Sequence, residues 1–228
     1  MTRLDRMSAC LCAVGVGLVL ADAADRMPVF VVRNWVLAAH GGPTPGLQSW
    51  FWAIPLPLLL IVAGVVASCC LFAAVSVGRQ VAVCYCAVGV LLHARTLWVN
   101  AHDYDFLVVL YRGPETYVPL HLFRHIVTPA ACLLVFAVGL GLLLAAARRQ
   151  TTGGQSHAVF SGDQAFRTTA RAGLATAALW TVGYPLTGMR LSGLVYAAFA
   201  LALLAVSTGA VARAIVRDVV RKDDRQTT

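Results

Sequence analysis

The chain has 228 residues, of which 59% are apolar and 12% charged, with a formal net charge of +8 and a mean hydropathy of +0.76. Soluble globular domains carry roughly a quarter charged residues, so the composition excludes an ordinary soluble domain and indicates a single membrane domain over residues 1–228. Of the 18 basic residues only Lys222 is lysine, and the arginines stand at the ends of apolar runs and not in one patch, so they read as topology signals and no nucleic-acid partner is expected.

A helix needs about 20 apolar residues to cross about 30 Å of hydrocarbon. Runs bounded by charges then predict an all-α polytopic membrane protein of about six transmembrane helices, at residues 7–24, 49–77, 80–98, 121–147, 172–188 and 191–212. The first, third and fifth have short uncharged cores, which leaves a count of four or five open. Residues 1–20 resemble a signal peptide, but Ala21-Asp22-Ala23 is a poor cleavage site, so the first run is expected to be retained. Six spans with both termini cytoplasmic place Arg3, Arg6, Arg79, Arg148, Arg149 and most of the other basic residues inside. Two long outer segments follow, 27–48 with its Gly41-Gly42-Pro43 turn cluster, and 99–120, where 106–117 reads as an interfacial or re-entrant stretch broken at Gly113-Pro114. The polar segment 148–171 reads as a cytoplasmic loop dividing a four-helix front half, 1–147, from a two-helix back half, 172–228. Pro185 is expected to kink or end the fifth span, and the tail after Arg213 to lie as a charged helix along the inner surface.

Ionisable groups inside a membrane are costly, so each marks a structural or functional site. Asp22 and Asp25 end the first span and His93 and Arg95 end the third, at the same depth. An Asp22–Arg95 pair would relieve both desolvation costs. It serves either as a strut between helices or as part of an anion-binding or proton-handling site, with Arg95 as anchor and His93 as donor or acceptor. The stretch from His93 to His125 also holds Asn100, His102, Asp103 and Asp105. His121 and His125 are spaced i, i+4 on one helical face, as two imidazole ligands would be, and His102 or Asp103 could complete a metal site. Haem would need histidines facing each other from two helices, and His93 with His125 is the pair available. The same histidines serve equally as interfacial hydrogen-bonding groups. Cys10, Cys12, Cys69, Cys70, Cys84 and Cys86 fall in the inner half without a CxxC motif, and read as small packing residues or as a thiol site. The chain holds no phosphate loop, GxSxG or HExxH, and no motif names a cofactor or substrate.

Roughly residues 3–110 resemble the HTTM family, the membrane domain shared with vitamin K-dependent gamma-carboxylase, and more loosely the DoxX-like membrane proteins. The resemblance rests on the apolar run ending at Asp22 with Arg26 after it, and on His93-Ala94-Arg95 followed by Asn100-Ala101-His102-Asp103 and a further apolar run. It implies a polar outer-face site between helices, with Asp22, Arg95 and Asn100 binding substrate and His93, His102 and Asp103 as catalytic candidates. Lys222 stands in the tail and supplies no counterpart to the carboxylase lysine base, so vitamin K-dependent carboxylation is not implied. The expectation from sequence is therefore a pocket for a small or lipid-linked anionic substrate. The alternatives are a non-catalytic subunit of a larger membrane complex, and a metal or haem redox protein using His93, His121 and His125. The expected partners are the lipid bilayer and, in the second reading, other membrane subunits.

Overall fold

The computed structural model describes residues 3–102, 122–150, 160–184 and 191–227. Asp103, Asp105, His121, Pro185, the segment 106–117 and part of 148–171 lie outside them. Among the described residues the fold is entirely helical: α1 (Arg3–Ala39), α2 (Leu47–Ala53), α3 (Pro55–Phe72), α4 (Gly78–His102), a π-helical segment (Phe123–Val127), α5 (Thr128–Gln150), α6 (Gly162–Val182) and α7 (Leu191–Thr227). Five helices are long and apolar enough to cross a membrane, counting α2 with α3 and the π segment with α5. The chain is thus a multi-pass membrane protein. The sixth expected span is α6, which begins ten residues earlier than the apolar pattern suggests. Its Ser161–Gln164 capping box starts the helix, in which the Gln164 N–H donates to Ser161 Oγ and the Ser161 N–H to Gln164 Oε1. Asp163, Arg167 and Arg171 then occupy its first half, so α6 lacks the apolar length of the others. The C-terminal part of the expected 148–171 loop is therefore helix.

The centre of the bundle is α1, whose residues Gly15 to Ala21 are buried on every side, whereas α7 is buried along only 11% of its apolar window. A helix apolar all round belongs in a core. It is met by α3, α5, α6 and α7, while α4 packs on α3 and α5. Glycines set the closest approaches: a Cβ on Gly17 would stand 2.4 Å from the Gly173 carbonyl oxygen of α6, and one on Gly64 would stand 2.5 Å from the Tyr85 ring of α4. Small residues at crossings let backbones touch where lipid offers no hydrophobic drive. The cysteines join this packing. Cys12, Cys69, Cys70, Cys86 and Cys132 are buried, and the Cys12 and Cys86 sulfurs lie 3.9 Å apart.

Two expectations about chain path are corrected. The first span does not stop at Asp25; α1 continues through Pro28 to Ala39, so most of the expected outer loop 27–48 is helix. Its charges are paired within the bundle and give the helix no reason to break. The turn cluster instead terminates α1. Gly41 takes a φ of +69°, and the Gly42 N–H reaches back to the Leu37 carbonyl at 2.8 Å, a Schellman closure. The same closure ends α3, with Ala74 at φ 54° and the Val75 N–H on the Cys70 carbonyl at 2.9 Å. Secondly, the tail after Arg213 continues α7 as a charged helix, as expected, but it packs on the bundle over part of its length. Ala212 and Val216 are buried, Arg213 pairs with Asp163 at 3.3 Å, and Ser76 donates to Asp223 at 2.6 Å.

Long-range polar contacts show how the helices alternate. Asp5 at the start of α1 pairs with Arg79 at the start of α4 at 2.8 Å, and Asp25 farther along α1 pairs with Arg124 just ahead of α5 at 2.5 Å. Asp5 and Asp25 are 20 residues apart, hence about 30 Å along the helix, the thickness of a hydrocarbon core. The start of α1 and the last turns of α7 both lie at the Asp5 end, since Ser76, two residues before α4, holds Asp223.

Candidate functional site

At the Asp25 end the apolar sequence of α1 is interrupted by Asp22, Asp25 and Arg26. Arg26 Nε stands 2.7 Å from Asp22, its i−4 neighbour, and its Nη2 donates to the Arg124 carbonyl at 2.6 Å. Arg124 in turn pairs with Asp25. Two carboxylates and two guanidiniums thus neutralise one another where an isolated charge would be most costly.

The π segment makes this possible. In its wider turn the Thr128 backbone N–H bonds to the Phe123 carbonyl, and three successive carbonyls also accept side chains. Phe123 accepts from Thr128 Oγ1 at 2.8 Å, Arg124 from Arg26, and His125 from Asn100 Nδ2 at 2.7 Å. Thr128 Oγ1 also accepts the Trp180 indole N–H at 3.1 Å, tying α6 to the same place. Phe123 packs against Trp180 and Tyr184 with ring centroids 5.1 and 5.3 Å away.

Beside this network lies a cavity of about 300 Å³ enclosed by α1, α2, α3, α4 and the start of α5. Its polar lining includes Asp22, Arg26, Ser49, His93, Thr96 and Thr128, against a wall of Phe30, Trp52, Leu56, Leu60 and Leu92. His93 lies flat on Phe136 with centroids 5.4 Å apart, and its Nε2 is buried without a hydrogen-bond partner. Buried polar atoms are nearly always satisfied, so the unpartnered Nε2 sets apart His93, one of the residues that line the cavity.

Of the residues singled out from sequence, Asp22 and His93 share this cavity. The expected Asp22–Arg95 pair does not form, because Asp22 finds Arg26 within its own helix. Arg95 is exposed and lies over the Trp52 ring at 4.7 Å, on the outer side of a residue that lines the cavity. Asn100 clips α4 to the π segment, and His102 is exposed and packs on Trp98 at 4.6 Å, so neither lines the cavity. Asp103 and His121 lie outside the described residues. The His125 carbonyl meets α4 at Asn100, seven residues or about 10 Å farther along that helix than His93. Among the described residues no three His, Cys, Asp or Glu side chains gather as a metal site would require.

Sequence reasoning missed Arg26, Trp52 and Thr128 as cavity residues, and Arg124 as the partner of Asp25. The i, i+4 spacing of Asp22 and Arg26 was a usable signal for one of them. Trp52 and Thr128 carry none. No family model matches the chain, and neither a curated protein nor a solved structure matches it.

Proposed function

We propose that the protein crosses the cytoplasmic membrane six times with both termini inside, and that the cavity at its outer face binds a small or lipid-linked anionic substrate. The observation that carries this reading is the buried His93 Nε2, lacking a hydrogen-bond partner on the wall it shares with the Asp22–Arg26 pair. Such a group orients a polar ligand or moves its proton. The anionic preference comes from Arg95, exposed beside Trp52 with no carboxylate against it among the described residues, whereas Arg26 and Arg124 are already neutralised. Its stacking on the indole holds the guanidinium against Trp52, one of the residues that line the cavity.

The membrane orientation is supported by both ends of the bundle. All five tryptophans, Trp35, Trp50, Trp52, Trp98 and Trp180, belong to the Asp25 end, at an interface, while the excess of arginine, Arg3, Arg6, Arg79, Arg148 and the basic part of α7, belongs to the Asp5 end and supports that end as the inner one. The reading extends the HTTM-like resemblance of the front half, which carries Asp22 and His93 as outer-face polar residues.

The test is purification of the full chain in mild detergent, followed by mass spectrometry of the small molecules released on denaturation, with the His93→Phe variant alongside. The wild type should release an anionic compound that the variant, which keeps a ring but lacks its nitrogens, has lost while keeping its helical content. Identical compounds from both proteins would sink the reading.

An accessory subunit is the second reading, and it rests on α1 beyond Asp25. Val29, Val32 and Trp35 there are 59%, 59% and 72% exposed on a helix that continues about 20 Å past the charged layer. It predicts a stoichiometric second membrane protein in the same preparation.

A further inference from the structure

The buried stripe of α6 is Ala165, Thr169, Gly173 and Ala177, while Arg167 and Arg171 are exposed. Each arginine follows a stripe residue by two positions, hence by about 200° around the helix, and faces away from the bundle. Two contacts a turn apart fix the register of α6 on α1. Ser68 Oγ donates to the Ala9 carbonyl at 2.9 Å and lies 2.9 Å from Thr169 Oγ1, and Gly173 stands beside Ala13 and Gly17. The two helices run the same way, and Arg171, between Thr169 and Gly173, is level with about Ala13. Ala13 is eight residues from Asp5 and twelve from Asp25, about 12 and 18 Å along α1. An arginine side chain leans toward the start of its helix, here the Asp5 end, and reaches about 7 Å. Arg167, one turn nearer that end, attains the level of Asp5. Arg171 stops about 5 Å short of it, inside the membrane depth.

Among the described residues no carboxylate meets Arg171, and the chain has only ten to offer. Asp5, Asp22, Asp25 and Asp163 pair with Arg79, Arg26, Arg124 and Arg213. Asp218 pairs with Lys222 and Asp223 accepts from Ser76, with Asp224 next to it in the last turns of α7. Asp103, Asp105 and Glu115 belong to the segment that joins the outer ends of α4 and the π segment, and segments 151–159 and 185–190 hold no acidic residue. A second copy would bring the same set. Lipid phosphates stay at the membrane surface, and a charge facing lipid tails at this depth is costly. What complements Arg171 is a carboxylate brought to mid-membrane by another protein.

We propose that the outward face of α6 packs against a different membrane protein, on a helix that carries an Asp or Glu at mid-membrane as the partner of Arg171. Leu174 and Leu179, 41% and 75% exposed, give that helix an apolar surface on the outer side of the charge. The proposal rests on α6 crossing the membrane, as in the six-span reading, and is independent of the His93 cavity.

Photo-cross-linking of the full-length chain in its native membranes, with a benzophenone amino acid in place of Leu174, tests the assignment. The cross-linked peptide should come from another membrane protein and contain Asp or Glu within an apolar run. Arg171→Leu should cut its yield at least about tenfold, as loss of one member of a desolvated charge pair does. Arg171→Lys should keep it, and Arg171→Asp should regain it when the partner's carboxylate is replaced by arginine. Arg171 is exposed, so these variants leave the packed face of α6 untouched. The same probe in place of Leu91, exposed on α4 where that helix packs on α3 and α5, should not yield this peptide. Cross-links to lipid alone, to a second copy of this chain or to a partner without such a carboxylate would overturn the proposal, as would an unchanged yield in Arg171→Leu. Reporter fusions at the termini test the α6 crossing separately. With both ends cytoplasmic, lipid-only cross-links remove the partner and leave the six spans standing.

Discussion

Asp25 and Asp5 are each only 5% exposed, and each is matched by an arginine from another element. Removing one member of a buried pair leaves the other charged and desolvated, which costs far more than the net worth of the pair. Asp25→Asn or Arg124→Gln alone should therefore cost about 3–5 kcal/mol. The double variant should recover much of that loss. Thermal unfolding of the detergent-solubilised protein is the measurement, and strictly additive losses would show that the two side chains do not depend on each other. The expected Asp22–Arg95 pair failed for a related reason. A carboxylate with an arginine four residues away in its own helix satisfies itself locally, so equal depth on two helices was not sufficient to join them. Asp25 and Arg124 are 99 residues apart, and nothing in their local sequence announces the contact.

At the level of elements, most helices were legible, because runs of apolar residues bounded by charges are what a membrane-crossing helix requires. Their ends were less so. Charges at Asp22 and Asp25 resembled a boundary, yet α1 carries them in its interior because Arg26 and Arg124 neutralise them. Likewise α6 begins at a capping box in a stretch too polar to suggest a span. Which helix would be central also depended on side-chain size in context. The glycines of α1 allow α6 to approach until the two backbones touch at Gly17 and Gly173. Gly17→Ala should therefore force α1 and α6 apart and cost about 1–3 kcal/mol as overpacking. Gly141→Ala provides the control, since a Cβ there meets nothing within 4 Å. Equal melting temperatures for the two variants would contradict the crossing described here.

For the molecule as a whole, the buried ion pairs near the two ends of the bundle stand about 30 Å apart along α1, and between Asp5 and Asp25 the charges of that helix are Arg6, beside the first pair, and Asp22, paired with Arg26 beside the second. With an even number of crossings, reporter fusions at either terminus should both score cytoplasmic. Opposite scores would require an odd number and would remove the outer-face assignment of the cavity. Composition and the order of apolar and charged runs determined by themselves that this is a helical multi-pass membrane protein, since lipid tolerates few other solutions. The same order marked Asp22 and His93 as polar groups of similar depth. Only the tertiary structure decided that these two line one cavity while Arg95, Asn100 and His102 do not. Which face of a helix meets which neighbour depends on packing across the whole bundle, at glycine crossings and at the carbonyls of the π turn that side chains of other helices reach. In a membrane, apolar sequence looks the same whether it faces lipid or protein, so the pattern that identifies the helices is silent about their partners.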